Sequence, residues 1–438
     1  MAGGNFTVQN KVRPGAYINV KSAGKALGSM SDRGIVTLPL VLNWGEVKKV
    51  ITLEPGSDFE KILGYGLLAP ELILIRETFK RAGKILLYRV NGGTKATKAA
   101  TPLTVTAKYE GTRGNDITVK VLADVDVPSS FIVQTYLAGK LVDEQRSKTV
   151  EALVANDYVT FSGTGALTAN AGIVLAGGTN TQATSSDYSD YFVAVQVYPF
   201  NTMALPVDDP VVKGAGATFV KRMGQEEGKD FQVVVADYAN ADNEGVISVK
   251  NGVVLDDGTV LTATQATAWV AGATAGANVN ESNTYKAYDG AVDVNIKYTN
   301  SQIIEALNHG EWVFVEKDGK AIVEQDINSF TSFDPTKGKE FRKNRCVRVF
   351  HAIRNDIKRI FSDYYIGKCD NNEDGRNLFK GECINYFESL QGINAIQNFD
   401  ASTDIVVSAG HDVDAVVVDA WIQPVDSMEK LYMTVTVK

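Results

Sequence analysis

Residues 64–93 have the sequence GYGLLAPELILIRETFKRAGKILLYRVNGG, and this stretch predicts the fold class. Its apolar residues first repeat at helical spacing, at Leu72, Ile75, Phe79 and Ala82. Residues 85–90 (ILLYRV) then form a continuous apolar run, the pattern of a strand that is buried on both faces of a sheet. A helix followed by such a strand indicates an α/β fold.

The sequence before this stretch extends the same pattern. Residues 35–42 form an apolar run suited to a buried strand. Ser57, with Glu60 three residues later, fits the capping box that begins a helix. Residues 1–33 differ, because they are mostly polar and glycine-rich and are too few to form a core. We expect them to be an N-terminal arm and linker.

Residues 95–176 change in character. Short runs rich in Thr, Val and Tyr alternate with turns, which predicts strands at residues 103–109, 117–123, 131–137, 140–146, 159–162 and 173–175. Ala138-Gly139 between two of these runs predicts a hairpin turn. We therefore expect a small, all-β domain, a β-sandwich or barrel, inserted into an α/β host.

After Gly177 the α/β pattern resumes. Helices are predicted at residues 187–198, 211–227 and 262–275, and buried strands at residues 202–205 and 231–236. The α/β core is therefore predicted to be discontinuous, formed by residues 34–94 and 177–330.

The last hundred residues predict a separate α+β domain, residues 331–425. A long helix is expected from Asp334 onward and a second one near residues 380–390, followed by strands at residues 405–408 and 415–423. Residues 426–438 are predicted to be a C-terminal strand arm.

Composition excludes several classes of protein. The chain has 44 Lys and Arg against 52 Asp and Glu, a net charge of −8, which gives nucleic-acid binding no global electrostatic support. The three Cys lack the spacing of a zinc site, and we expect no metal or cofactor. No run approaches 18 apolar residues, so no membrane insertion is expected. The N-terminus lacks the apolar segment of a secretory signal.

Catalytic motifs are weak. His411, Asp412 and Asp414 could be metal ligands or part of a triad, but a solvated loop is the more usual interpretation of such a group. The glycine-rich residues 175–180 and 271–276 match neither a Walker loop nor a dinucleotide-binding fingerprint. Tight turns and close backbone approach are therefore the expected roles of these glycines.

One segment departs from the overall acidity. Between Thr336 and Phe361 there are nine basic and two acidic residues, a local net charge of +7. A helix here would carry an apolar stripe formed by Cys346, Phe350, Ile353, Ile357 and Ile360. Arg345, Arg348 and Arg359 fall on the opposite side. A solvated helix face is the usual interpretation, docking on an acidic protein surface is the alternative, and nucleic-acid binding is the third.

Strand patterns occur at both ends of the chain. Residues 16–20 form a short strand-like stretch, and residues 431–437 alternate strictly between apolar and polar side chains. Residues 312–316 and 321–326 flank Lys317-Asp318-Gly319-Lys320, whose Asp-Gly pair predicts a hairpin turn. The segments at residues 21–33 and 424–429 are predicted to be flexible linkers.

Three segments in this order, residues 64–93, 175–192 (LAGGTNTQATSSDYSDYF) and 269–291 (WVAGATAGANVNESNTYKAYDGA), resemble contractile tail sheath proteins of tailed phages and phage-derived particles. The order of the predicted parts, from arm to strand arm, is similar to that family over nearly the whole chain. The resemblance implies a structural protein, not an enzyme, whose α/β core resembles subtilisin in fold.

The resemblance also implies an assembly. Subunits would form stacked hexameric rings around a tail tube protein and contract to drive the tube into a target cell. Baseplate and tail terminator proteins would be further partners. The location would be the virion tail, after assembly in the host cell cytoplasm. Terminal strands would leave their own subunit and pair with a hairpin in neighbouring C-terminal domains, and a basic helix would face the tube.

The residues that match these implied roles can be named. The exchanged strands would be Ala16, Tyr17, Ile18, Asn19 and Val20, and Leu431, Tyr432, Met433, Thr434, Val435, Thr436 and Val437. The receiving hairpin would comprise Trp312, Val313, Phe314, Val315, Glu316, Ala321, Ile322, Val323 and Glu324. The tube-facing helix would present Arg345, Arg348 and Arg359.

Alternatives stay open at this point. From the residues alone, pairing of both termini within their own subunit is the more usual arrangement, and only the resemblance favours exchange. A subtilisin-like hydrolase would require an Asp, a His and a Ser that converge in one cleft. The sheath of a related bacteriocin or secretion machine would assemble by the same principles.

Overall fold

The chain begins with two short strands that pair in parallel, β1 (Ala2–Gly4) and β2 (Gly15–Tyr17). The computed structural model describes residues 2–4, 15–17, 30 and 33–437. Ala16 and Tyr17 of the predicted strand therefore lie in β2, whereas Ile18, Asn19 and Val20 lie outside the described residues.

Residues 33–94 form the first half of an α/β core. Its elements are β3 (Ile35–Leu40), β4 (Val50–Leu53), α1 (Phe59–Leu63), α2 (Ile73–Phe79), β5 (Lys84–Arg89) and β6 (Gly93–Thr94). The predicted helix and both buried strands are confirmed. The cap of α1 differs by one residue, because Asp58 accepts the backbone N–H of Lys61 at 3.1 Å. Ser57 instead closes the preceding turn by accepting the N–H of Glu54.

The next residues form a β-sandwich. Its strands are β7 (Thr97–Ala100), β8 (Leu103–Ala107), β9 (Ile117–Ala123), β10 (Phe131–Leu137), β11 (Lys140–Ser147), β12 (Val159–Gly163) and β13 (Asn170–Val174). Two sheets, ordered β11-β10-β9-β13 and β12-β8-β7, enclose a core that includes Val105, Val119 and Val133. The predicted hairpin turn is confirmed, since Ala138 and Gly139 both have positive φ, 48° and 83°.

The chain then returns to the α/β core. The elements are β14 (Thr179–Asn180), α3 (Ser185–Val195), β15 (Thr202–Ala204), α4 (Pro210–Glu226), β16 (Gln232–Ala236), β17 (Val246–Val249), β18 (Val253–Leu255), β19 (Val260–Leu261), α5 (Ala263–Gly276), β20 (Ala291–Val294), α6 (Asn300–Asn308), β21 (Glu311–Trp312), β22 (Phe314–Lys317) and β23 (Lys320–Val323). The predicted helices at residues 187–198, 211–227 and 262–275 are confirmed within a few residues.

A seven-stranded sheet organises this core, in the order β21-β17-β16-β15-β3-β5-β4. All neighbours run parallel except β4, which pairs antiparallel with β5. Side chains alternate between two hydrophobic clusters. Val234 packs on the face with α2 and α5, whereas Val233 and Val235 pack on the face with α3 and α4. Burial on both faces explains the continuous apolar runs that the sequence shows in these strands.

The C-terminal domain contains two long helices and four strands in its described residues. They are α7 (Asn344–Tyr364), α8 (Glu373–Gly392), β24 (Ile396–Gln397), β25 (Ile405–Ala409), β26 (Val416–Ala420) and β27 (Gln423–Pro424). Helix α7 begins ten residues later than predicted, because Asp334 closes a turn by accepting the N–H groups of Thr336 and Lys337. Among the described helices, none has the length and apolarity needed to cross a bilayer.

Helix α5 packs closely on α2 and on the residues just after it through two glycines. A Cβ on Gly272 would lie 2.5 Å from the carbonyl oxygen of Thr78, and one on Gly276 would lie 2.1 Å from that of Arg81. Both distances are far below van der Waals contact. The glycine-rich residues 271–276 therefore serve helix packing, which agrees with the close backbone approach expected for them.

We predict that Gly272→Ala lowers the free energy of unfolding by about 1–3 kcal/mol, because the added methyl group would force α5 away from α2. Equilibrium urea denaturation would measure it. Gly381→Ala in α8 is the matched control, since no atom lies within 4 Å of the position of its Cβ. The control is expected to raise stability by about 0.5–1 kcal/mol, and equal destabilisation by both changes would contradict the packing argument.

Candidate functional site

Helix α7, which carries most of the basic segment, is covered on two sides. Val349 and Ile360 pack with Phe379 and Tyr386 of α8 in one hydrophobic cluster. The predicted apolar stripe is confirmed, because Cys346 and Ile360 are buried and Phe350, Ile353 and Ile357 are partly buried. The other side of α7 lies against the chain that follows β23, so its polar face is not simply solvated.

Arg348 lies on that second side and is 1% exposed. Its Nη2 donates to Oδ2 of Asp326 at 2.6 Å and to the carbonyl oxygen of Glu281 at 2.5 Å. Asp326 also accepts the backbone N–H of Asn283 and Nδ2 of Asn344, each at 2.9 Å. The prediction that Arg348 faces outward toward a tube is therefore wrong. Helical periodicity separates two faces of α7, but it does not reveal that the core covers the polar one.

Arg345 and Arg359 are partly exposed. Nη2 of Arg345 donates to the carbonyl oxygen of Asn394 at 3.3 Å, and Nη2 of Arg359 lies 3.5 Å from Oδ1 of Asp356. These two side chains remain accessible to a partner, so contact between them and a tube stays a prediction.

The predicted hairpin around Asp318-Gly319 is confirmed as a hairpin. Strands β22 and β23 pair antiparallel, with Phe314 opposite Val323. Asp318 and Gly319 have φ values of 53° and 72°, as a tight two-residue turn requires. Trp312 lies outside the hairpin, in β21 at the edge of the seven-stranded sheet.

One edge of this hairpin is occupied by the same chain, and the other is bound at one residue. Tyr285 donates its N–H to Val323 at 2.7 Å, and Tyr288 donates to Ala321 at 2.8 Å. The side chain of Asn251 binds the N–H and the carbonyl of Phe314, at 2.8 and 2.9 Å. The edge of β23 is thus occupied by the same chain, whereas on β22 only Phe314 is bound, so the receiving role of this hairpin stays a prediction.

A second hairpin has the opposite character. We call residues 405–420, which comprise β25, β26 and the loop between them, the C-terminal hairpin. Ile405 is buried in the cluster with α8, and Val407, Val416 and Val418 pack against that cluster. Within the described residues, β25 and β26 pair only with each other. One face of the C-terminal hairpin is thus supported, and neither of its edges has a strand partner among the residues that the structure describes.

The register shows which backbone groups face outward. Gly410 donates to Ala415 and Trp421 donates to Asp404, and these bonds fix the hydrogen-bonded pairs. Hydrogen-bonded and non-bonded pairs alternate in an antiparallel ladder. The N–H and carbonyl groups that point to the outer edges therefore belong to Ile405, Val407 and Ala409 on β25 and to Val416, Val418 and Ala420 on β26.

The C-terminal tail, residues 430–438, leaves the domain beside α7. Its described residues have neither helix nor strand structure, and the large apolar ones are exposed: Leu431 by 85%, Met433 by 74%, Val435 by 73% and Val437 by 91%. The strand predicted at residues 431–437 is therefore not formed within the described chain. The alternating apolar and polar residues 431–437 therefore pair with no strand of the described chain.

The point where the tail begins is held firmly. Glu429 accepts hydrogen bonds from Thr284 at 2.8 Å, from Gln325 at 2.7 Å and from Lys343. Burial alone would raise the pKa of Glu429, but the hydrogen bonds from Lys343 and Gln325 outweigh it and hold the pKa below its usual value. Upstream, Val425 donates to Ala395 at 3.0 Å. The prediction that residues 424–429 are a flexible linker is thus wrong, since both ends of this segment are anchored.

The residues considered as metal ligands or as part of a catalytic triad do not form such a site in the described chain. His411 and Asp412 lie 3.3 Å apart in the exposed loop of the C-terminal hairpin, with side chains 101% and 79% exposed. His351 lies elsewhere, and burial together with the charges of Arg33 and Arg354 lowers its pKa to about 3. In the part of the chain that the structure describes, no three His, Cys, Asp or Glu side chains are placed to hold a metal ion.

Sequence reasoning missed three features of this surface. Asp326 and Glu429 are single carboxylates in polar segments, and no local pattern marks them as buried acceptors. The C-terminal hairpin did have a signal, because two valine-rich runs flank the short polar stretch AGHDVDA, residues 409–415. Both strands were predicted, but their pairing and their open edges were not.

Comparisons with known proteins cover almost the whole chain. Four family profiles match: "Tail sheath protein Gp18 domain III N-terminal region" at residues 33–90, "Phage tail sheath protein beta-sandwich domain" at 91–180, "Phage tail sheath protein central domain" at 181–329 and "Phage tail sheath C-terminal domain" at 336–438. The phage-like element PBSX protein XkdK of Bacillus subtilis (strain 168) is 39% identical, and the match covers 100% of both chains.

Solved structures show the same likeness. The sheath tail protein of Desulfitobacterium hafniense is 53% identical with a TM-score of 0.88, over 97% of this chain and 100% of that one. The helical sheath of the anti-feeding prophage in its contracted state has a TM-score of 0.58 over 98% of this chain and 100% of that one. It is only 14% identical, so this last likeness concerns the fold alone.

We predict that Arg348→Ala lowers the free energy of unfolding by about 3–5 kcal/mol, because it leaves the buried carboxylate of Asp326 without its cation. Arg345→Ala, on the same helix but partly exposed, is the matched control and should cost less than about 1 kcal/mol. Thermal and urea denaturation of both variants would test the difference. Similar small losses for the two would show that the buried ion pair does not hold α7 to the core.

Proposed function

The chain belongs to the family of contractile tail sheath proteins, and we propose that its subunits form stacked six-membered rings around a tail tube, joined by exchanged strands. Proteins of this family are structural, so the hydrolase alternative is set aside. A phage tail sheath is a component of the tail of a phage-like particle.

One observation carries the proposal of strand exchange: the described chain contains an unpaired strand sequence and an unpaired place to receive it. The C-terminal tail alternates apolar and polar residues and pairs with nothing described. The C-terminal hairpin presents outward N–H and carbonyl groups on both edges. A two-stranded hairpin is marginal in water, whereas three or four strands over a hydrophobic support are stable. We infer that neighbouring subunits supply the missing strands.

The free energy gained by adding one strand is modest, which suits an assembly held together by many such contacts. A strand added to one edge would gain a few backbone hydrogen bonds, each worth a net ~0.5–1.5 kcal/mol. Burial of Leu431, Met433 or Val435 would add about 1.5–3 kcal/mol for each side chain. The cost of ordering the tail offsets part of this gain. One contact is therefore modest, but many such contacts in a helical assembly act together.

Three further parts of the proposal rest on the family resemblance and on the geometry that is compatible with it. Arg345 and Arg359 are the residues of the basic helix that we propose to face the tube. The mostly parallel sheet covered by helices on both faces is compatible with a subtilisin-like core. Contraction would turn the subunits about the tail and N-terminal segment while the strand pairing persists, since main-chain hydrogen bonds do not depend on the orientation of the bodies they join.

The setting of the assembly is part of the same proposal. Baseplate and tail terminator proteins would bound the sheath at its two ends, and the sheath would assemble in the cytoplasm of the host cell. The sheath of a related bacteriocin or secretion machine would use the same exchanged strands. Strand exchange alone therefore does not distinguish a phage tail from these machines.

The central test removes the tail. Deletion of residues 431–438 is expected to leave the subunit folded, because the described residues 431–437 are exposed, and to abolish cylinders in negative-stain electron microscopy. Circular dichroism and the melting temperature would establish that the fold is retained. Long, intact cylinders from the deleted protein would overturn strand exchange by the C-terminal tail.

A second test blocks the receiving edge. Ala409→Pro and Ala420→Pro each remove an outward N–H from an exposed edge position, where proline is tolerated. Each loss of about 0.5–1.5 kcal/mol per contact should raise the critical concentration for assembly up to about tenfold. Ala409→Ser keeps the N–H and is the matched control. Sedimentation of assembled particles would measure the change, and wild-type assembly by both proline variants would exclude these edges as receivers.

A further inference from the structure

The C-terminal hairpin lies in a strongly acidic part of the chain. Residues 398–426 contain six Asp and no Glu, Lys or Arg. Asp426 lies 3.4 Å from Lys343, and it is the only one of the six with a Lys or Arg within ion-pair distance among the described residues. Asp412 has only the adjacent His411. The side chains of Asp414 and Asp419 make neither a hydrogen bond nor an ion pair with any described residue.

This pattern contrasts with the basic helix. Lys343, Arg348 and Arg354 of that segment are paired with Glu429, Asp326 and Asp230 inside the subunit. The positive charge of these three side chains is therefore largely neutralised by carboxylates of the same subunit. The aspartates of the C-terminal hairpin have no Lys or Arg partner among the described residues and are exposed, so they remain available to cations of another subunit.

The two ends of the chain carry the opposite sign. Residues 1–32 contain four Lys and Arg against one Asp, a net charge of +3. Arg33 is not counted with them, because its side chain donates to the carbonyl oxygens of Ala277 and Thr274 in the same subunit. Residues 430–438 contain two Lys and no acidic residue, a net charge of +2. Both segments are basic in a chain whose net charge is −8. The segments that we propose to be donated and the surface that we propose to receive them are thus complementary in charge.

We propose that the aspartates of the C-terminal hairpin, above all Asp412, Asp414 and Asp419, select the basic end segments of another copy of this chain as their strand partners. This inference rests on the strand exchange proposed above and specifies what makes it selective. Complementary charge speeds the encounter of the correct segments. It also sets like charges against each other when two such hairpins meet, so that their open edges do not pair together.

The charges involved are exposed, so their interaction depends on salt. The screening length is about 10 Å at 0.1 M ionic strength and about 3 Å at 1 M. Selection by charge should therefore act at low salt and fade at high salt. Pairing through backbone hydrogen bonds and apolar side chains, by contrast, should persist at high salt.

The test compares assembly rates of full-length variants by light scattering, with electron microscopy of the products. The variant with Asp412→Asn, Asp414→Asn and Asp419→Asn should assemble at least threefold more slowly than the natural sequence at 0.1 M salt, and at the same rate at 1 M salt. The matched control makes Glu71→Gln, Glu226→Gln and Glu305→Gln on the α/β core, where these exposed side chains form no ion pair. It changes the net charge equally and should assemble normally.

A second experiment reverses the charges of the tail and of the C-terminal hairpin. Lys430→Glu with Lys438→Glu should slow assembly at 0.1 M salt, and combining this change with Asp412→Lys, Asp414→Lys and Asp419→Lys should restore the rate at least threefold. Restoration supports selection by charge. If the Asn variant assembles at the natural rate at 0.1 M salt, or if the exchange restores nothing, the inference is overturned.

The two proposals fail in different ways. Cylinders formed after deletion of residues 431–438 would overturn strand exchange and this inference with it. Loss of cylinders on deletion, together with normal salt dependence of the Asn variant, would leave strand exchange standing and overturn selection by charge alone.

Discussion

One buried carboxylate, Asp326, joins the C-terminal domain to the α/β core. It accepts hydrogen bonds from Asn283 of the core and from Asn344 and Arg348 of α7. A buried charge is tolerated only when it is paired and hydrogen-bonded, and removal of any of these donors would leave an uncompensated group. Because α8 and the C-terminal hairpin share one hydrophobic cluster with α7, this network, together with the bonds of Arg354 and Asn355 to Asp230, helps to position the C-terminal hairpin.

Two hairpins of the chain, β22–β23 and β25–β26, have similar local structure but differ in what surrounds their edges. Strand β23 has its edge closed by residues 285–288, and Asn251 binds Phe314 of β22, so this hairpin is joined to the core. Strands β25 and β26 are supported by α8 on one face and are open at both edges. In a free subunit an open strand edge can pair with a wrong strand and cause aggregation. In an assembly the same edge can bind a strand of a neighbouring subunit. In the assembly proposed above, strands from neighbouring subunits would complete this sheet.

Sequence patterns predicted most of the fold, because periodicity and turn chemistry are local. The buried strands, the inserted β domain, the apolar stripe of α7 and the turn at Asp318-Gly319 all follow from spacing within a few residues. Contacts between distant segments do not leave such patterns. The ion pair of Arg348 with Asp326, the closed edge of β23 and the anchoring of Glu429 each depend on residues tens to hundreds of positions away.

Glu429 has a mechanical consequence for a sheath. Its carboxylate is bound by Thr284 and Gln325, which belong to the core, and by Lys343 at the start of α7. A pull on the tail would thus reach the α/β core through several bonds loaded together, instead of peeling β27 from β24 one bond at a time. In the contractile assembly proposed above, tension passed from subunit to subunit would be borne by the core of each body, and the strand joints would act as hinges under load.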